Sequence, residues 1–200
     1  MGASILPVAI KDGKLVFLFG KERDIDDTPG WSDFGGGTDH KESFIETAVR
    51  ESGEELTGFL GDDKEIKKML KKYGTYTIDF KSDSHGVYRV HIFPFHYNPW
   101  LTHYYNNNQA FLQKRLDKKV IRDTKIFEKQ RIDWFTFDQM AKRKKEFRSF
   151  YQNIVDLILV RKDEINKFIF SKLLGKKTFT NKKNNIKQKF NRKTRKERKY

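Results

Sequence analysis

Three consecutive glycines, Gly35 to Gly37, stand between an aromatic segment (Trp31-Ser32-Asp33-Phe34) and a stretch of helical periodicity. No other feature restricts the fold so much. Glycine inside a helix or strand loses more conformational freedom than any other residue, so three together mark a turn that no regular element would choose. Downstream, Asp39 as N-cap with Glu42 three residues on has the form of a capping box, with Asp in place of Ser or Thr. Phe44, Ile45, Ala48, Val49 and Leu56 follow at helical spacing, and the helix is expected to end near Gly58.

The same helix carries a block of acids. Glu51, Glu54 and Glu55 stand at i, i+3 and i+4, which places three carboxylates within about a third of the helix circumference. Like charges so arranged repel by a few tenths of a kcal/mol per pair, and no lysine four residues on relieves them. A hard divalent cation does relieve them, because Mg²⁺ and Mn²⁺ take carboxylate oxygens and keep waters that a phosphate can replace. Ile45, Ala48, Val49 and Leu56 lie about 100° round from the acids, so the helix is expected to anchor on one side and present its carboxylates on the next. The plainer alternative is a solvated acidic face.

The pattern Gly36-x5-Glu42-x7-Arg50-Glu51-Ser52-Gly53-Glu54-Glu55 resembles the signature box of the Nudix hydrolases. Six specified residues match in register, which at ordinary residue frequencies happens by chance on the order of once in ten million starting points. Ser52 stands where the family has an aliphatic residue, and the closing glycine comes one place late, at Gly58. Trp31 to Gly36 resembles the segment before the family's box. Ile132-Asp133-Trp134-Phe135 followed by Phe137-Asp138-Gln139-Met140 resembles its late strand and short helix. The likeness spans about residues 4–160.

This resemblance implies an α/β fold of the α/β/α sandwich type around a mixed sheet. It implies hydrolysis, with Mg²⁺ or Mn²⁺, of the pyrophosphate linkage in a nucleoside diphosphate joined to another group. Glu51, Glu54 and Glu55 would bind the ion, with the carbonyl of Gly36 or its neighbour completing the set. Glu54, Glu55 and Arg50 would form the catalytic group, Arg50 by orienting a glutamate, and Glu42 would support the junction of loop and helix. Candidates for general base are Glu55, Glu128 and Asp133. Lys21 and Arg23, on the loop before the glycines, are candidates to reach substrate phosphates, although two solvated loop cations fit as well. Trp31, Tyr88, Phe93, Phe95 and Tyr97 include candidates for a base-stacking platform, against the commoner fate of strand aromatics, the core.

Elsewhere, residues 5–10 and 15–19 read as a hairpin across Asp12-Gly13. Strands are expected at 74–80, 87–97 and 132–137. Within 99–119, the segment 109–116 has the pattern of a short helix, with Asn106 to Asn108 read as loop. One long helix is expected over 146–174, its apolar face formed by Phe150, Ile154, Leu157, Ile158 and Phe168. Two units result: a domain over 1–175 and a basic tail over 176–200, disordered or helical. The tail holds 12 basic residues and one acid, Glu197, so it carries +11 of the chain's +15.

With no cysteine, disulfides, thiolate zinc sites and cysteine nucleophiles are excluded. The five histidines show no zincin spacing. No apolar run reaches membrane-spanning length and the first residues lack a secretory signal, so an intracellular chain is expected, cytoplasmic rather than nuclear. The tail suits three roles: an RNA-binding arm with Phe179 and Phe190 for stacking, a nuclear address over 192–199, or a solubilising end. An RNA arm favours the 5′ cap of mRNA as substrate over a free nucleotide, because a long polyanion gains more from counterion release. A non-catalytic RNA-binding protein on the same fold and a diphosphoinositol polyphosphate phosphohydrolase are the alternatives. The richness in Lys, Asn, Phe and Ile hints at an AT-rich genome, as in large DNA viruses or some protists.

Overall fold

The computed structural model describes residues 1–24, 28–82, 86–123 and 128–175. The proposed roles of the tail, with Phe179, Phe190 and residues 192–199, lie outside the described residues. Seven strands form one sheet: β1 (Gly2–Lys11), β2 (Lys14–Glu22), β3 (Trp31–Ser32), β4 (Phe34–Gly37), β5 (Tyr76–Ser82), β6 (Gly86–Pro94) and β7 (Lys129–Phe135). The order is β3-β2-β1-β6-β5, with β4 also on β1 and β7 also on β2. β1 runs parallel to β6 and antiparallel to β2 and β4, so the sheet is mixed. The helices are α1 (Phe44–Glu55), α2 (Asp63–Tyr73), α3 (Pro99–Arg115), α4 (Lys118–Asp123), α5 (Phe137–Lys142), α6 (Tyr151–Val160) and α7 (Lys162–Leu173).

Side-chain alternation along the strands separates two cores. On β1, Leu6 and Val8 point one way with Phe17 and Phe19 of β2, under Met140, Ile154, Ile158 and Ile165. Ala3 and Ile5 point the other way with Leu18, Phe93 and Ile132, under Ala48, Val49, Ile66 and Leu101. A strand buried on both faces reads as a continuous apolar run. Helices therefore cover both faces, giving the expected α/β/α layering. Among the described residues no helix is long and apolar enough to cross a membrane.

Five expectations need correction. Gly35 to Gly37, expected as a turn that no regular element would choose, lie in strand β4 opposite Ser4, Ala3 and Gly2 of β1, where the missing side chain of Gly35 permits the close approach of Ala3 and Ser4. The helix over the acids starts at Phe44 and its N-cap is Ser43, with Glu46 closing the capping box. Lys41 has φ +75°, outside the helical well, which prevents Asp39 from starting the helix. Ile45, expected on the anchoring face, is exposed in the first turn. Asn106 to Asn108 are helical, within α3. The Asn106 amide accepts from the Ile132 N–H at 2.8 Å and donates to the Ile132 carbonyl at 3.0 Å, so it completes the backbone of β7. The expected long C-terminal helix is broken at Arg161. No proline or glycine marks that break, after which α6 lies against β5 and α7 against β6. Finally α2, capped by Asp62 and Glu65, was not anticipated.

Candidate functional site

β1 changes partners along its length, and this change builds the site. Residues 8–11 pair with β2, whereas residues 2–5 pair with β4, so the glycine strand fills the gap where β2 diverges. At Gly35 any side chain would collide with Ala3 and Ser4 of β1. At Gly36 a methyl group would come within 2.5–2.6 Å of the Glu51 carboxylate. Gly35 is thus held by close approach of β1 and Gly36 lies against the Glu51 carboxylate, whereas the space at Gly37 is open. Glu51 rests on Gly36, and Glu55, one turn later, accepts the Gly35 N–H at 3.0 Å.

Arg50 organises the acids around this strand. Its Nε and Nη2 donate to the two oxygens of Glu42 at 2.8 and 3.0 Å, and Nη2 also donates to the Gly37 carbonyl at 3.1 Å. A bidentate fork of this kind fixes orientation as well as charge. The remaining nitrogen, Nη1, donates to Glu51 at 2.8 Å and lies 3.7 Å from Glu54. Glu42 accepts further bonds from the Thr47 hydroxyl and the Asp39 N–H. The Arg50 fork, with these bonds, holds its carboxyl down at about 2, and Glu42 and Glu51 raise the guanidinium of Arg50. Ser52, in the place of an aliphatic residue, is buried and donates to the Val49 carbonyl at 2.9 Å.

The three box acids are unequal. Glu54 is the most open, with 39% of its side chain exposed, against 13% for Glu51 and 5% for Glu55. Among the described residues no three Asp, Glu, His or Cys side chains converge closely enough to make a metal cluster by themselves. Glu51 and Glu54 do aim at one spot, because a single nitrogen of Arg50 sits between them. Glu55 turns inward to Lys129, whose Nζ lies 3.1 Å from Oε1. Burial pushes the Glu55 carboxyl up, opposed chiefly by the Lys129 charge. Burial acts against the Lys129 ammonium, but Glu55 and Glu22 outweigh it and hold that lysine above its ordinary value. The Tyr105 hydroxyl joins this end of α1 to β7, 2.8 Å from the Glu55 carbonyl and 3.1 Å from that of Lys129.

A cavity of about 490 Å³ opens beside the glycine strand, lined by Gly35 to Gly37, Ser32, Tyr88, Arg148 and Phe150 among others. Gly36 is shared by the cavity and the acids. Under the cavity, Asp33 is buried and accepts from the hydroxyls of Ser4 and, at 2.9 Å, Tyr88. Burial pushes its carboxyl up to about 6 in spite of those bonds.

The other sequence candidates are more dispersed. Lys21 pairs with Asp24 at 3.0 Å, and Arg23 donates to the Ile121 carbonyl at 2.8 Å. Trp31 is 2% exposed and packs on Phe135 at 4.9 Å, so it is a core residue and no surface platform. Phe93 is buried likewise, and Phe95 stacks on Trp134. Asp133 sits on β7, accepting its neighbour's N–H (Trp134) at 2.8 Å and lying 3.9 Å from Arg131. Glu128 precedes β7, close enough for its charge to act on Glu55. The sequence reading missed Lys129, Glu22 and Arg148. A lysine three residues before a predicted strand carries no sign of burial.

No protein-family model matches the chain, and no curated protein matches it. Solved structures do match. A C. elegans Ap4A hydrolase in a binary complex is 14% identical with a TM-score of 0.49, over 82% of this chain and 96% of that one. The M. smegmatis Nudix hydrolase RenU is 15% identical with a TM-score of 0.48, over 87% and 89%. A bifunctional NMN adenylyltransferase/ADP ribose pyrophosphatase from Francisella tularensis, complexed with AMP and Mn ion, is 13% identical with a TM-score of 0.46, over 82% and 41%. Similarity at this level assigns no activity to the chain.

Proposed function

We propose that this protein hydrolyses the pyrophosphate linkage of a nucleoside diphosphate joined to another group, with Mg²⁺ or Mn²⁺ as cofactor. The observation that carries the reading is the pair Glu51 and Glu54, aimed at one cationic position by Arg50 and set against Gly36 of β4 at the rim of the cavity. The donor set suits the ion: Mg²⁺ is commonly held by one or two carboxylates and completes its shell with waters and substrate phosphates. Glu51 and Glu54 would hold it, with the Gly36 carbonyl beside them. When bound, it would polarise a phosphoryl oxygen and lower the pKa of a water.

The chain's own residues do the positioning. Glu42 binds two nitrogens of Arg50 and so leaves only Nη1 to face Glu51 and Glu54. Arg50 fixes Glu51 by its third nitrogen. In the cavity, Tyr88 and Phe150 supply ring surface for a base. Arg148 lies over Phe150 at 5.1 Å and supplies positive charge at the same wall. Glu128 and Asp133 are the groups proposed to take a proton from the attacking water, Glu128 being the nearer to the acids in electrostatic terms.

A panel of nucleotide sugars, dinucleoside polyphosphates and capped RNA, assayed with Mg²⁺ and Mn²⁺, tests the proposal. Hydrolysis of at least one class is expected, falling at least 100-fold in Glu54→Gln. Unchanged Mn²⁺-dependent hydrolysis in the double variant Glu51→Gln, Glu54→Gln would remove the reading. Within this class the charge of residues 176–200 favours capped mRNA. Deleting them should then slow cleavage of capped RNA and leave nucleotide cleavage as it was. Equal rates on both would exclude the RNA arm.

A further inference from the structure

Among the described residues Lys129 is the only buried lysine, and three independent features put it there. The first is a β-bulge. Lys21 and Glu22 of β2 oppose Arg131 and Lys129 of β7, leaving Gln130 as the extra residue. In regular pairing Gln130 would face Glu22; the bulge turns Lys129 there instead, onto the face of Leu18 and Ile132 that α1 covers. The second is Gly20, where a Cβ would lie 2.8–2.9 Å from the Lys129 stem, so only glycine leaves room for that chain.

The third is a full set of acceptors. An ammonium has three N–H donors. Those of Lys129 meet Glu22, the Ser32 hydroxyl at 2.9 Å and Glu55 at 3.1 Å. Glu22 also accepts from Nη1 of Arg148 at 2.9 Å. Two cations and two carboxylates thus close a balanced network. Glu22 is shared by Lys129 and Arg148, and Lys129 is the one cation of the network on Glu55.

We infer that Lys129 is a built-in cation that takes Glu55 out of the metal's coordination shell, leaving the ion to Glu51 and Glu54. The inference rests on the metal-dependent reading above. A divalent ion on Glu55 would have to sit beside a fully buried ammonium, where the low dielectric leaves the repulsion strong. Glu55 instead straps the glycine strand through the Gly35 N–H, and Lys129 is a positioning residue that keeps it there. This departs from the equal treatment of the three acids that their spacing suggested.

Mn²⁺ binding to the full chain, read from loss of the free-ion EPR signal, tests the inference without turnover. Glu51→Gln and Glu54→Gln should each raise the Mn²⁺ Kd at least tenfold, and Glu55→Gln less than threefold. Lys129→Met should free Glu55, tightening Mn²⁺ at least tenfold or adding a second bound ion, and adding Glu55→Gln to it should abolish that gain. Should Lys129→Met fail to fold, the comparison of Glu55→Gln with Glu54→Gln decides alone. A Glu55→Gln effect as large as that of Glu54→Gln overturns the inference and leaves the metal reading intact. If neither Glu51→Gln nor Glu54→Gln alters binding, the metal reading fails and the inference falls with it.

Discussion

Asp33→Asn should stabilise the protein progressively more as pH rises. Asp33 lies buried between the Ser4 and Tyr88 hydroxyls, and burial lifts its carboxyl from 3.8 to about 6. A raised carboxyl favours the folded state below its unfolded value, and that advantage is lost as pH climbs through the folded value. Above both values the folded state carries the whole penalty: a shift of about 2 units at about 1.4 kcal/mol each is roughly 3 kcal/mol. At pH 5 only about half of it is present, because the folded carboxyl is still mostly protonated. Asparagine keeps the shape, can donate to Ser4 and accept from Tyr88, and never ionises.

The stability difference between Asp33→Asn and the unaltered chain should therefore grow by about 1–2 kcal/mol between pH 5 and pH 8. Other titrating groups occur in both chains and cancel in that difference. With a urea slope of about 2 kcal/mol per molar, the gap between unfolding midpoints widens by roughly 0.5–1 M. Urea unfolding at pH 5, 6.5 and 8, followed by tryptophan fluorescence and by circular dichroism, measures it. A gap that is constant or that narrows with rising pH would show that Asp33 is not penalised when ionised, and the argument from burial would be wrong.

Gly36→Ala forces a methyl group onto the Glu51 carboxylate, so Mn²⁺ affinity should fall at least tenfold while far-UV circular dichroism is retained. Arg50→Lys keeps the charge and loses the fork on Glu42. Hydrolysis should drop at least tenfold, and Glu42→Gln should produce a similar loss through the same contact. Asn106→Leu leaves the Ile132 N–H and carbonyl without their partner, which should cost about 1–3 kcal/mol in urea unfolding. Gly20→Ala crowds the Lys129 stem and should lower the melting temperature more than Gly58→Ala, where the space is open although φ is +76°.

What could be read in the residue order was what depends on near neighbours. The hairpin at Asp12-Gly13 and the acidic helix each follow from residues within a few positions of one another, and both are found, whereas the three glycines expected as a turn pair with β1 as strand β4, a partnership that no neighbouring residue signals. The cap of α1 was misplaced by four residues because Asp39 and Ser43 both begin a plausible box. Only the positive φ of Lys41 decides between them. The signals for α2 were local too: Asp62 with Glu65, then Ile66, Met69 and Leu70 at helical spacing, all before Gly74. α3 is different. Three asparagines look like loop until Asn106 is seen to complete the backbone of β7, 26 positions away in the chain.

The site divides along the same line. Glu42, Arg50 and Glu51 lie within nine positions of each other, so one short motif names all three, although Glu42 precedes α1 and Glu51 adjoins Arg50, so helical spacing pairs neither with the guanidinium. The partner of Glu55 is 74 positions away, on a strand whose pairing slips by one residue at Lys21 and Glu22. A slip of one residue exchanges the faces of a strand, so whether Lys129 meets solvent or the acids depends on a bulge that no local pattern records. Charge counting along α1 therefore gives three equivalent carboxylates, and the folded chain gives two plus one already neutralised. The distinction is created by tertiary structure, and the separate behaviour of Glu54 and Glu55 toward Mn²⁺ is the measurable consequence.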